Sequence, residues 1–207
     1  MSYYETRYTL DVGRAKVWRA ISEYLQKFIQ IDATVLDLGS GYGDFINSIK
    51  AGKKLAVDFN PKAKKYCGKG VIFINTSSTD LKEIKNKSVD TVFSSNLFEH
   101  LNEEQINETI KEIKRVLRVG GNLVIMQPNF RYAYKNYFDD FTHKSIFTHV
   151  SFCDLMKANG LKVVLEKPKF LPLSLKSRLP KSYLLTKLYI NSPIKPMGKQ
   201  MLLIFEV

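Results

Sequence analysis

The chain has 207 residues, 44% of them apolar and 25% charged, with a formal net charge of +12. No run approaches the roughly eighteen apolar residues of a membrane-spanning helix, and MSYYETRYTLDVGR at the start lacks the apolar core of a secretory signal. Cys67 and Cys153 lie far apart in an otherwise thiol-poor chain, which excludes a disulfide framework and leaves free thiols in a reducing cytoplasm as the expectation.

Asp11 to about Ile29 has apolar residues at Val17, Ile21, Leu25 and Phe28, with Trp18 and Ile29 beside them, the spacing of a helix with one buried face. Thr34–Leu38 predicts a short buried strand that ends in GSGYG. A short helix over Asp44–Ala51, closed by Gly52, and strands at Leu55–Asp58, Val71–Ile74 and Val89–Ser94 follow. Asn102 and Gln105 form a capping box for the next helix, and Glu103 and Glu104 suit the positive end of its dipole. Ile106, Ile110, Ile113 and Leu117 make its stripe, and Gly120-Gly121 is expected to stop it before a strand at Leu123–Met126. Alternating strands and helices of this kind predict a parallel sheet covered on both faces.

Asn129–Phe147 is aromatic and polar with little periodicity. A helix is predicted over Ser151–Asn159, capped by Ser151 and Asp154, and two final strands over Leu161–Glu166 and Met201–Val207. The stretch joining those strands carries five of the seven prolines. Between Leu161 and Gln200 nine basic residues face one acid, Glu166. Such a surface can attract a phosphate-bearing partner, and a set of solvated lysines explains it equally.

The sharpest signal is Val35–Phe45, VLDLGSGYGDF. Its glycines occupy the first strand-to-helix turn, where a parallel sheet forms its ligand crevice. Asp58 ends the next strand, 21 residues beyond Asp37, where an acid can accept hydrogen bonds from the two hydroxyls of a ribose.

DLGSGYG, AVDFNP and LRVGGNLVIMQPN together resemble the class I S-adenosylmethionine (SAM)-dependent methyltransferase family of the type 11/12 kind, over roughly Thr34 to Asn129. The resemblance implies a doubly wound α/β sheet of order 3-2-1-4-5-7-6 with strand 7 antiparallel. YYETRY…VWRAI, SSNLFEHL and the chain's ending also resemble a subgroup associated with bacterial surface-glycan assembly. Carried across by position, Gly39, Ser40, Gly41 and Gly43 would line the methionine part of SAM, and Asp37 would help hold its ammonium. Asp58 would bind the ribose and Phe59 would pack on the adenine, while Asn96 and Leu97 would floor the site. Ser77 stands where many relatives carry an acid for the adenine amino group, and Asp80 lies three residues on.

Toward the acceptor, Glu99, His100, Asp139, Asp140, His143 and His149 fall near the carboxyl ends of the strands. A hydroxyl is a poor nucleophile and calls for a base of near-neutral pKa, so His143 and His100 are the catalytic candidates. Asp139 and Asp140 can orient His143. The same acids with His143 can hold a divalent metal, although their spacing alone does not call for one.

The expectation is one domain over 1–207. Residues 1–31 form an N-terminal helix and a lid from which Arg7 and Arg14 can face the cofactor (a solvated face explains them as well), 32–129 the cofactor-binding core, and 130–207 the acceptor side, where Lys176, Arg178 and Lys181 of a 168–198 insertion meet a phosphate. The expected reaction is transfer of a methyl group from SAM to a hydroxyl of a small-molecule or glycan-like acceptor. The alternatives are a nucleic-acid methyltransferase, favoured by the charge, and a non-catalytic SAM-binding partner. DNA is not expected as a partner; peripheral contact with a membrane is compatible with the charge.

Overall fold

A computed structural model describes residues 12–172 and 181–207. Seven strands form one sheet: β1 (Thr34–Leu38), β2 (Lys53–Asp58), β3 (Val71–Asn75), β4 (Val89–Ser95), β5 (Leu117–Pro128), β6 (Lys162–Pro172) and β7 (Gly198–Glu206). Their order is β3-β2-β1-β4-β5-β7-β6, as the resemblance implied. β7 runs antiparallel to both neighbours, and the remaining pairings from β3 across to β5 are parallel.

Strand alternation sends side chains to opposite faces. Leu36, Leu38, Val92, Leu203 and Phe205 join one cluster; it is covered by α3 (Glu103–Val116) and, after the single turn α4 (Phe130–Ala133), by α5 (His149–Ala158), which contribute Ile106, Ile110, Ile113, Phe152 and Met156. Val35, Phe93, Val124, Leu202 and Ile204 join the other. That face is covered by α1 (Val12–Leu25), α2 (Asp44–Ser48) and α6 (Tyr183–Asn191) through Val17, Trp18, Ile21, Leu25, Phe45 and Ile190. Phe93 stacks on Phe45 with ring centroids 3.8 Å apart and meets the edge of Trp18. The apolar stripe of the N-terminal helix is therefore core, and Trp18 belongs to it.

Three local expectations are corrected. The helix α3 has its predicted Asn102–Gln105 capping box but ends at Val116, and Leu117 passes straight into β5. Loop amides of Lys87 and Ser88 take the terminal carbonyls of Arg115 and Val116, so no glycine stop is needed. Gly120, at φ +73°, and Gly121 instead lie in the register shift between β4 and β5, where Gly121 approaches the Arg118 carbonyl too closely for a side chain. The capping box of α5 is Thr148 with Ser151, three residues earlier than Ser151 with Asp154. The helix after the glycine turn spans only Asp44–Ser48, short of Ala51.

The insertion is smaller than its sequence span, because β6 extends to Pro172 and β7 begins at Gly198. Lys176, Arg178 and the N-terminal Arg7 lie outside the described residues. The described part folds as α6 against α1: the Tyr183 hydroxyl donates to Glu23 Oε2 at 2.6 Å, and Lys187 Nζ lies 3.2 Å from the same oxygen. Among described residues, no helix is long and apolar enough to cross a membrane.

Candidate functional site

The carboxyl ends of β1, β2 and β4 are laced together by backbone and short side chains. Gly39 and Ser40 N–H both donate to the Val57 carbonyl, at 2.9 and 3.0 Å, and the Ser94 hydroxyl donates to Leu38 O at 3.1 Å. Gly39, Gly41 and Gly43 all have positive φ, and a side chain on Gly43 would meet the Tyr66 carbonyl at 3.2 Å. Glycine is needed here for both the backbone angle and the close approach. The Asp58 carboxylate is buried and accepts from Gly41 N–H at 2.8 Å and Asn60 N–H at 2.9 Å, so it fixes the turn as well as ending the strand.

A pocket of about 500 Å³ opens over these ends, within the ordinary range for a small-molecule site. Gly39, Asp58, Phe59, Ser77, Asn96 and Leu97, each assigned to a cofactor from the sequence, all line this one pocket. Asn96 holds a left-handed φ of +51° and its side-chain oxygen accepts from Gln200 Nε2 at 3.1 Å. Phe59 is exposed at the mouth, where a planar ring has access to it. Asp80 pairs with Lys82 at 3.0 Å and is not among the lining residues.

Asp37, Ser40, Gly41 and Gly43 sit behind this lining. Asp37 is buried, and its burial raises the carboxyl to about 8; a hydrogen bond from the Ile46 backbone opposes the rise, and the Asp58 and Asp44 charges add to it. The buried Ser40 hydroxyl and the Trp18 indole N–H have no hydrogen-bond partner among the described residues. A buried acid without a cation partner fits a ligand that brings an ammonium, as the methionine part of SAM does. Arg14, also considered as a lid residue, ion-pairs with Asp44 at 2.5 Å at the start of α2.

Of the acceptor-side candidates, His100 lines the same pocket, with Thr142 and Lys144 beside it on the lining. A tight turn after β4 places Glu99 and His100, and the Glu99 carbonyl accepts from Lys144 and Ser145 N–H at 2.8 and 3.1 Å. The Ser145 hydroxyl donates to Leu101 O at 2.7 Å, and Tyr137 OH donates to Ser145 O at 2.5 Å. These bonds bring His143 against His100, with ring centroids 4.9 Å apart, and against Tyr137 at 4.4 Å.

His100 lines the pocket; His143 lies behind it. His100 Nδ1 faces the Thr142 hydroxyl at 2.9 Å and the Thr142 carbonyl at 3.4 Å, and the same hydroxyl donates to Asp140 Oδ1 at 2.6 Å. A carbonyl only accepts, so Nδ1 carries the hydrogen and Nε2 the lone pair. Burial lowers the His100 pKa, helped by neighbouring His143 and opposed by Asp140. Thr142 was missed by sequence reading, although it sits one residue before His143. Lys144 and Gln105 also line the pocket, and nothing in the sequence marks Gln105 beyond its capping role.

Glu99 is 1% exposed and burial pushes its carboxyl to about 8. Among described residues, the metal-capable group whose ligand atoms lie within 4.8 Å of one another is Glu99, His100 and His143, a different trio from Asp139, Asp140 and His143. His149 stands apart: it is buried at the start of α5 and accepts from Asn129 Nδ2 at 2.9 Å. The buried side-chain amide of Gln127 has no partner among the described residues and was not singled out from sequence.

Residues 36–125 match the family described as a methyltransferase domain. Over 108 residues the chain is 34% identical to phosphoethanolamine N-methyltransferase 1 of Triticum aestivum, which covers 47% of this chain and 22% of that protein. The chain thus spans about a fifth of the length of the curated relatives it matches. The fold resembles a SAM-dependent methyltransferase from Archaeoglobus fulgidus, with TM-score 0.63, 21% identity and coverage of 92% of this chain and 94% of that one. It also resembles geranyl diphosphate methyltransferase in complex with GPP and sinefungin, a SAM analogue, with TM-score 0.66, 16% identity and coverage of 90% of this chain and 77% of that one. The matched segment is under half of the chain; it resembles a methyltransferase domain and lies in a sheet of order β3-β2-β1-β4-β5-β7-β6.

Proposed function

We propose that this chain, built on a class I methyltransferase domain, moves the methyl group of SAM to a hydroxyl of a small or glycan-like acceptor. The observation that carries the reading is one pocket lined by Asp58, Phe59 and Asn96 together with His100. SAM supplies a methyl group on a sulfonium, which leaves as an electrophile. Asp58 holds the ribose, Phe59 the adenine, the glycine turn the methionine part, and Asp37 its ammonium. Residues 32–129 serve the cofactor, and 130–207 contribute the acceptor side through the 140–145 loop.

The main contribution of such a site is placement. Holding acceptor and methyl in line supplies about 7–11 kcal/mol of the barrier. Managing the acceptor's proton is a smaller effect, about 10²–10⁴-fold, and falls to His100, with His143 packed behind it. The Thr142–Asp140 chain holds the imidazole so that its lone pair is on Nε2. Lys144, on the pocket lining, suits a phosphate or carboxylate on the acceptor. A second reading, an amine acceptor, draws support from the N-methyltransferase named among the relatives.

Two measurements test these readings. Purified protein with SAM and a panel of nucleotide-linked sugars, lipid-linked sugars and phosphoethanolamine is expected to release S-adenosylhomocysteine with at least one hydroxyl acceptor, as read by mass spectrometry. Turnover confined to the amine would replace the first reading with the second. Asp37 gives the other test. Its folded-state carboxyl, at about 8, must ionise to meet an ammonium. Binding is therefore expected to release a proton below pH 8 and to tighten as pH rises from about 6 to 8. Calorimetry in buffers of different ionisation enthalpy measures that proton; a binding heat independent of buffer would remove Asp37 from the ammonium site.

A further inference from the structure

Among the described residues, Glu99 is a buried acid left without a partner. It is 1% exposed, and neither carboxylate oxygen has a hydrogen-bond partner in the rest of the described chain. Buried carboxyls are ordinarily paired with a cation, supplied with donors, or used as metal ligands. No arginine or lysine among the described residues forms an ion pair with this one. What stands next to it are the imidazoles of His100 and His143, with the three potential ligand atoms mutually within 4.8 Å.

The surroundings of His100 add a second, independent feature. Its Nδ1 is committed to Thr142, and Thr142 to Asp140, which leaves the Nε2 lone pair as the ring's binding atom. Metal-binding histidines are held in this way, by an outer oxygen that fixes the tautomer and the ring plane. The backbone bonds from Lys144 and Ser145 to Glu99 O lock the two chain segments that carry the trio.

We propose that Glu99, His100 and His143 form a divalent transition-metal site on the acceptor side of the pocket. Two imidazoles and one carboxylate suit Zn²⁺, Fe²⁺ or Co²⁺ better than Mg²⁺ or Ca²⁺, which favour all-oxygen ligation. Three protein ligands leave coordination positions open, and His100 faces the pocket, so an acceptor oxygen can complete the site. The proposal rests on methyl transfer taking place in this pocket, and it replaces direct proton uptake by His100 with activation of a metal-held hydroxyl. A metal-held hydroxyl loses its proton to solvent; its oxygen then forms the new C–O bond as the C–S bond of SAM breaks and the electron pair stays on sulfur.

The test uses the full chain, stripped with EDTA and dialysed, in a Cys67→Ser background that removes the half-buried thiol as a competing ligand. Calorimetric titration with Zn²⁺ is expected to show one ion per chain, and Co²⁺ to give visible d–d absorption. Glu99→Gln and His143→Ala should each weaken Zn²⁺ by more than tenfold, and Thr142→Ala by about 10–100-fold, with far-UV circular dichroism unchanged. If Glu99→Gln does not fold, His143→Ala and Thr142→Ala carry the comparison. Absence of Zn²⁺ binding at micromolar concentration, or equal affinity in the folded variants, overturns the site. S-adenosylhomocysteine binding is measured on the same stripped protein. Its loss would count against the methyltransferase reading, whereas its retention without Zn²⁺ binding counts against the metal alone.

Discussion

Asp58→Ala is expected to weaken binding of S-adenosylhomocysteine by about 10–100-fold. Hydrogen bonds to a charged group contribute about 1.5–3 kcal/mol, and each 1.4 kcal/mol is roughly tenfold in affinity. The carboxylate also holds Gly41 N–H and Asn60 N–H, so its removal leaves two buried or half-buried donors unpaired and loosens the glycine turn. Asp58→Asn keeps an oxygen for one of those amides and should fall between wild type and alanine. Calorimetry with the thioether product isolates the effect from turnover. An affinity within twofold of wild type for the alanine variant would sink the assignment of Asp58 to the ribose.

The second large effect is expected on turnover. His100→Ala should lower kcat by about 10²–10⁴-fold while S-adenosylhomocysteine affinity stays close to wild type, because the imidazole faces the acceptor end of the pocket. His143→Ala should also lower kcat, since its ring packs on His100. Thr142→Ala separates the two: it frees the His100 ring without touching His143 directly. A Thr142 variant with an unaltered pH–rate profile would show that the Asp140–Thr142 chain does not set the state of His100. Full turnover in His100→Ala would remove that residue from the chemistry.

The end of the pocket proposed for the cofactor was legible because its signals are local. A glycine turn after a strand and an acid at the end of the next strand are fixed by chain geometry, and Gly39, Asp58, Phe59, Asn96 and Leu97 do converge on one pocket. The acceptor end depends on contacts across forty residues of chain. His100 and Thr142 meet only because Glu99 O captures Lys144 and Ser145 N–H, which no periodicity announces. For the same reason the trio with ligand atoms within reach contains Glu99, whose burial is invisible in the sequence, alongside the expected His143. The capping errors have a simpler origin. Thr148 and Ser151 are both good caps, and the backbone chose the earlier one. Gly120-Gly121 reads equally as a helix stop or a strand irregularity until the partner strand is known.

The placement of β7 between β5 and β6 bears on how the protein comes into being. Every residue of the cofactor turn, β1 to β5, has been synthesised well before Gly198, yet the free sides of both β5 and β6 are paired by β7. While the ribosome is still making the insertion, two strands with unmatched amides and carbonyls are exposed together, one of them carrying the apolar Leu123–Met126 run. Non-local pairing of this kind closes slowly, and open strand edges invite association with other chains. Slow translation across 173–197 would prolong that interval, and a chaperone that shields strand edges would act there rather than on the earlier cofactor half. The sheet is thus completed last by a strand that contributes none of the proposed catalytic side chains.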